Sequence, residues 1–108
     1  MLNQTVLVGR LTSDPQINEV EDKKKVNITV AVPRPYKNTN GEYDTDYIDC
    51  ELWNAIATQS AEFLHKGDIV GIKGRIQTEE VKSGKTKTYK QIIIAEKVTF
   101  LSSKKGEE

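Results

Sequence analysis

The sequence predicts an all-β domain with a single helix, and two features of the residue pattern predict it. Five segments alternate apolar and polar residues with a period of two, the spacing that puts every second side chain on the same face of a strand. They are Thr5–Leu11, Val26–Pro33, Asp46–Trp53, Asp68–Val81 and Thr88–Leu101. Only one segment, Ala55–His65, has apolar residues at helical spacing. Strands with one apolar face each are typical of a small barrel.

The third segment has the clearest alternation. Ile48, Cys50 and Leu52 fall on one face. The other face carries four residues, namely Tyr47, Asp49, Glu51 and Trp53. In the fourth segment, Gly71 and Gly74 have no side chain to pack, so we expect a bend or a close backbone approach there.

Turn formers separate these elements. Asn54 is the expected cap at the start of the helix, and Gly67 is expected to adopt the left-handed conformation after its end. The segments 38–42 and 82–85 are rich in Asn, Gly and Ser, so each is expected to close an extended hairpin. The three lysines 23–25 are interpreted as a turn before the second strand, because nearby carboxylates cancel their charge.

Length and composition restrict the function. The 108 residues suffice for one domain, predicted over residues 1–101, and the apolar-free segment 102–108 is expected to be disordered. Sixteen basic residues balance sixteen acidic ones, which argues against coating a polyanion by bulk attraction. The single cysteine, Cys50, excludes an internal disulfide and is expected in the core. No apolar run approaches the ~20 residues that cross a bilayer, so a cytoplasmic protein without a membrane partner is expected.

Signals of catalysis are weak. His65 is the only histidine, and it has no cysteine near it in the sequence. No glycine-rich phosphate loop and no spacing of metal ligands is present. Asp49 and Glu51 are interpreted as solvent-facing strand residues rather than cation ligands. We therefore expect no enzyme, no cofactor and no metal.

The order strand, strand, strand, helix, strand, strand is that of the OB-fold, a five-stranded barrel with one helix between strands 3 and 4. Within it, Tyr47 and Trp53 lie on the polar face of strand three. Turning Trp53 inward would expose the apolar face of the same strand, so both rings are expected outside. Exposed aromatic side chains on a rigid sheet stack on bases, which predicts binding of single-stranded nucleic acid.

The order and spacing of six motifs resemble those of the bacterial single-stranded-DNA-binding protein family over residues 1–101. The motifs are Val6–Leu11, Asp14-Pro15, Val26–Val32, Thr45–Tyr47, Phe63–Asp68 and Ile72–Ile76. The resemblance implies DNA binding without sequence preference in replication, recombination or repair, by a homotetramer paired through strand one. It also implies that Tyr36, Tyr47 and Trp53 stack on bases, whereas Val81 occupies a fourth, usually aromatic, position.

Basic residues accompany these aromatic residues. Arg34 and Lys37 flank Tyr36, and Lys73 and Arg75 share one face of strand four. The second hairpin carries the remaining candidates for DNA contact, Lys82, Lys85, Lys87 and Tyr89. The neighbouring carboxylates are expected to repel phosphate and to weaken the dependence of binding on salt.

Full-length members of the family end in an acidic tip with a terminal Phe, on which repair enzymes dock. This chain ends in Lys104–Glu108, so tip-dependent recruitment is not expected. Two alternatives remain open. One is a dimeric primosome-type accessory protein on the same fold, which a native mass measurement distinguishes. The other is a protein-interaction module without nucleic-acid binding, favoured by the zero net charge and distinguished by titration with an oligonucleotide.

Overall fold

The computed structural model describes residues 1–103, which form six strands and one helix. The elements are β1 (Thr5–Leu11), β2 (Ile17–Val20), β3 (Lys23–Lys37), β4 (Tyr43–Trp53), α1 (Asn54–Phe63), β5 (Ile69–Ser83) and β6 (Thr86–Ser102). The five predicted strands and the helix are confirmed, and most of the strands are longer than predicted. Ser102, placed in the predicted tail, is the last residue of β6, and residues 104–108 lie outside the described residues.

Five of the strands close into a barrel. Along the sheet the order is β1, β5, β6, β4 and β3, and β3 returns to β1 through the pairs Arg10↔Ala31 and Leu11↔Val30. All the pairings are antiparallel except that of β4 with β6, which is parallel. The helix connects β4 to β5, which are the third and fourth barrel strands in chain order. The predicted OB-fold is therefore confirmed.

The sixth strand, β2, was not predicted. It pairs with β3 through a two-residue turn in which Glu21 and Asp22 have φ angles of 49° and 66°. Two successive residues with positive φ match the twist of a tight hairpin. All four residues of β2 are exposed, so no buried face marks the strand in the sequence. The interpretation of lysines 23–25 as a turn is wrong, because they begin β3.

Alternating side chains of the barrel strands fill the core. Its members include Leu11, Val26, Ile28, Val30, Cys50, Leu52, Val70, Ile72 and Ile93. Cys50 and Leu52 are fully buried and Ile48 packs against them, so the predicted inner face of β4 is confirmed. Gly74 lies at a register shift between β5 and β6, where a Cβ atom would overlap the carbonyl group of Ile94. The same atom at Gly71 would meet only ordinary contacts.

The helix begins at Asn54, directly after the last residue of β4. Its N-cap is Trp53, without a side-chain hydrogen bond, and Asn54 has a φ of 56°. The predicted cap by Asn54 is therefore wrong. Gly67 adopts the predicted left-handed conformation, with a φ of 92°, and its N–H donates to the carbonyl group of Leu11. No helix within residues 1–103 has the length and apolar character needed to cross a membrane.

Candidate nucleic-acid interface

Strands β3 and β4 present a continuous outward surface. The cross-strand pairs on it are Lys25↔Trp53, Asn27↔Glu51, Thr29↔Asp49 and Ala31↔Tyr47. These eight residues are called the β3–β4 face below. The side chain of Tyr47 lies open on it, with 69% of the residue exposed. Because residues 47 and 53 are an even number of positions apart on one strand, Tyr47 and Trp53 share this face.

Trp53 lies on the predicted outward face, outside the core, but it is half-buried there rather than exposed. Its Nε1–H donates to Oε1 of Glu51 at 3.2 Å. The Nζ atom of Lys25 lies over the ring, 5.2 Å from the centroid. Alternation along β4 fixes the face that carries the ring, whereas these two neighbours determine how much of it is open.

The expectation that Glu51 faces solvent is wrong, because only 2% of the residue is exposed. It accepts the Nε1–H of Trp53 and is paired with Lys25, whose Nζ lies 3.3 Å from Oε2. The carboxyl group of Glu79 lies close by. Burial raises the pKa of Glu51, but its interactions with these three residues outweigh burial and hold that pKa below its usual value. The interaction with Glu51 raises the pKa of Glu79, which therefore holds the proton of the pair more tightly.

A polar groove of about 300 Å³ adjoins the β3–β4 face. Its charged lining comes from four strands and consists of Lys25, Asp49, Glu51, Glu79 and Lys90. Lys90 lies 3.8 Å from Glu79, and the exposed Asp49 accepts a hydrogen bond from the hydroxyl group of Thr29 at 2.8 Å. Sequence reasoning gave no role at the site to Lys25. Extending the alternation of β3 backwards from Asn27 would have placed Lys25 on this face.

The hairpin of β3 and β4 extends beyond the barrel and carries Tyr36, which is 62% exposed. Lys37 lies over the ring of Tyr43 at 5.9 Å. Arg34 is bound within this hairpin, because its Nη2 and Nε donate to Oδ1 of Asp46 at 2.9 and 3.1 Å. This hydrogen bond lowers the pKa of Asp46. The guanidinium group of Arg34, which is predicted to contact DNA, is therefore already bound to a carboxylate.

The hairpin of β5 and β6 turns at Gly84 and Lys85, and its side chains divide between two faces. Lys82 is directly opposite Lys87, and Tyr89 is opposite Glu80. By alternation these four residues share one face. The other face carries Val81 with Glu79 and Lys90, and the latter two line the polar groove. Tyr89, although 69% exposed, thus lies on the face of the hairpin away from the groove.

Lys73 and Arg75 lie on β5, which is separated from β4 by β6 and from β3 by β1. Lys73 is exposed and opposite Val6. Arg75 is half-buried, and its Nη1 donates to Oε1 of Gln77 at 2.8 Å. The structure therefore does not bring these two cations onto the β3–β4 face.

An open β face with aromatic side chains, flanked by two hairpins that carry cations, is the kind of surface on which OB-fold proteins bind single-stranded nucleic acid. Within residues 1–103 no group of three or more His, Cys, Asp or Glu side chains is arranged to hold a metal ion.

Comparison with known proteins identifies the family. Residues 2–101 match the Single-strand binding protein family, so the chain belongs to that family. Its members bind DNA and are not enzymes, as the sequence predicted.

Relatives support this assignment over nearly the whole chain. The chain is 43% identical to Single-stranded DNA-binding protein 3 of Listeria innocua over 108 residues, covering 98% of this chain and 68% of the relative. It is 39% identical to the Single-stranded DNA-binding protein of Lactiplantibacillus plantarum, covering all of this chain and 55% of the relative. It is 38% identical to Single-stranded DNA-binding protein B of Bacillus subtilis, covering all of this chain and 97% of the relative.

Proposed function

We propose that the chain binds single-stranded DNA without sequence preference and protects it during replication, recombination or repair, through the β3–β4 face and its two flanking hairpins. The observation that carries the proposal is the position of Tyr47 and Trp53 on one outward face of a chain that belongs to the single-strand binding family. Aromatic stacking is available to every base, so it supports binding without sequence preference.

Three aromatic side chains are the proposed stacking platforms: Tyr36, Tyr47 and Trp53. Each stacked base contributes about 1–3 kcal/mol. Val81 occupies the groove side of the β5–β6 hairpin but has no ring to stack. The chain therefore has one platform fewer than its family resemblance implies, and weaker binding is expected.

Cations on the two hairpins are proposed to contact the phosphates. Lys82 and Lys87 are exposed directly across from each other. Like charges in this position repel, although Lys87 also lies 3.7 Å from a carboxylate oxygen of Glu80, and a phosphate near both lysines would relieve the repulsion. Lys37, Lys85 and Tyr89 complete the proposed contacts of the hairpins. Arg34, Lys73 and Arg75 remain proposed contacts for a longer DNA segment, with Arg34 exchanging Asp46 for phosphate.

We further propose that copies of the chain assemble through β1 into a homotetramer. Strand β1 pairs with β5 from Thr5 to Arg10, but with β3 only at Arg10 and Leu11. One edge of the first part of β1 is thus open, and an open edge is a template for pairing with another chain. Val6 and Val8 beside it are 70% and 53% exposed. Native mass spectrometry that finds a tetramer supports this assembly, whereas a dimer favours the accessory-protein alternative.

The test of the proposed function is a titration of fluorescently labelled oligothymidylate, oligocytidylate and mixed-sequence DNA, followed by anisotropy. Binding of all three with similar affinity supports the proposal. Absence of binding at low salt would favour the protein-interaction module instead. The proposed location is the cytoplasm, where the DNA of the bacterial relatives lies. The expectation about an acidic C-terminal tip concerns residues 104–108, which the structure does not describe, and stays a prediction.

A further inference from the structure

Three side chains at the end of the β3–β4 face are joined in a closed arrangement. Glu51 accepts the Nε1–H of Trp53 at 3.2 Å and the ammonium group of Lys25 at 3.3 Å. Lys25 in turn lies over the Trp53 ring, 5.2 Å from its centroid. Each of the three therefore contacts the other two. Lys25, Glu51 and Trp53 are called the Trp53 bracket below.

The burial of Glu51 is unusual for a residue that points away from the barrel core. Its side chain is 3% exposed, whereas that of Lys25 is 21% exposed. A buried carboxylate is costly unless it is paired and hydrogen-bonded. Both oxygens of Glu51 are occupied, one by the indole N–H of Trp53 and the other by the ammonium group of Lys25. The carboxylate is thus held from β3 and β4, so it is a rigid acceptor for the indole N–H.

Backbone pairing adds to this rigidity. Lys25 and Trp53 are directly opposite each other on β3 and β4, and Glu51 is the next residue of β4 on the same face. Cross-strand partners on one face lie close enough for their side chains to touch. The sheet thus places a cation on one side of the ring and an acceptor at its N–H edge. Only the opposite side of the ring remains for a base.

We propose that Glu51 is a positioning residue for DNA binding, which acts with Lys25 to hold the Trp53 ring in the single orientation that stacks on a base. The inference rests on the proposed function, in which Trp53 is a stacking platform. Fixing the ring before DNA arrives removes part of the entropy lost on binding. Glu51 thereby favours binding through Trp53, although its own charge repels phosphate.

Asp49 provides a matched control, because it separates the repulsion of phosphate by a carboxylate from the positioning of the Trp53 ring. It lies on the same face of β4, two residues from Glu51, but it is exposed and does not contact the indole. Asp49→Asn and Glu51→Gln each remove one negative charge from the β3–β4 face. Asp49→Asn should tighten the binding of oligothymidylate at low salt. Glu51→Gln should instead weaken it by about threefold to tenfold, a part of what one stacked base contributes.

A double-mutant cycle shows whether Glu51 acts through the indole. Phenylalanine has no N–H to donate, so in the Trp53→Phe background the weakening caused by Glu51→Gln should disappear. Thermal melting accompanies each variant. If Glu51→Gln does not fold, Lys25→Met replaces it and Lys24→Met, which changes an exposed neighbouring lysine, is its control. Lys25→Met should then weaken binding more than Lys24→Met.

A second readout needs no DNA. Trp53 is the only tryptophan, so time-resolved fluorescence anisotropy of the free protein reports the motion of this ring alone. The wild-type protein should show little fast wobble, and Glu51→Gln or Lys25→Met should increase it. Equal wobble in wild type and variant overturns the inference. So does tighter or unchanged DNA binding by Glu51→Gln, or the same weakening in the Trp53→Phe background. Absence of DNA binding by the wild-type protein would instead refute the proposed function.

Discussion

Lys25 and Trp53 form a directly opposed pair across β3 and β4, with the ammonium group of Lys25 5.2 Å from the centre of the indole ring. The pair joins the two kinds of side chain that a single-strand groove needs, a cation and a ring. Glu51 holds both of them, and Glu79 connects this group to the β5–β6 hairpin. The proposed interface is therefore a network across four strands, to which Lys90 belongs as well.

Tyr47 should contribute to DNA binding by stacking. Tyr47→Ala is expected to weaken binding of oligothymidylate by about 1–3 kcal/mol, the contribution of one stacked base. Stability should change little, because the side chain is exposed. Phe63→Ala is the matched comparison, since Tyr47 and Phe63 are both 69% exposed but Phe63 lies on α1, outside the proposed interface. Equal losses at the two positions would contradict the assignment of the β3–β4 face.

Asp49 should weaken binding through its charge. Each phosphate neutralised on single-stranded DNA contributes a slope of about −0.7 in the logarithm of affinity against the logarithm of salt concentration. The carboxylates of the groove offset some of the cations, so we expect a shallow slope. Asp49→Asn should raise affinity at low salt and have less effect at high salt. Weaker binding by Asp49→Asn at low salt would show that the carboxylate contacts DNA directly.

The neighbouring carboxyl groups of Glu51 and Glu79 should make stability depend on pH. The pKa of Glu79 is raised, so the native state favours its protonated form. The stability that this form contributes is lost as pH rises through the raised pKa. Glu79→Gln keeps a neutral side chain at every pH. The variant should therefore melt at a higher temperature than the wild type at neutral pH. The difference should disappear in acid, where the wild-type Glu79 is also neutral.

Lys25, Lys90 and Asp49 also line the groove around this pair, and the two lysines lower the pKa of Glu79. Removing the charge of Lys90 should raise the pKa of Glu79 further. The Lys90→Met variant should therefore lose this stability at a higher pH than the wild type does. If Glu79→Gln melts at a lower temperature than the wild type at neutral pH, the result would contradict the raised pKa of Glu79.

Cys50 should be unreactive in the native protein. Burial raises the pKa of its thiol to about 12, so almost no thiolate is present at pH 8, and the side chain is fully buried. A thiol reagent such as dithionitrobenzoate should react only as fast as the protein unfolds. Rapid reaction in native buffer would show that the barrel opens near β4.

The alternation of residues predicted much of this structure, including the inner face of β4 and the side of the strand on which Trp53 lies. It did not predict the burial of Glu51, because the partners that bury it come from β3 and β5. It also missed β2, whose residues are all exposed and so have no apolar face. The pairing of Arg34 with Asp46 depends on the register of the hairpin, which the sequence pattern does not specify.

The most direct test of the central claim is the fluorescence of Trp53 during titration with oligothymidylate, with binding followed independently by the anisotropy of labelled DNA. Since Trp53 is the only tryptophan, its emission reports this one ring. Stacking predicts quenching that saturates together with binding and is absent for Trp53→Phe. Unchanged Trp53 emission at saturating DNA would show that the bases do not stack on this ring and would contradict the proposed interface.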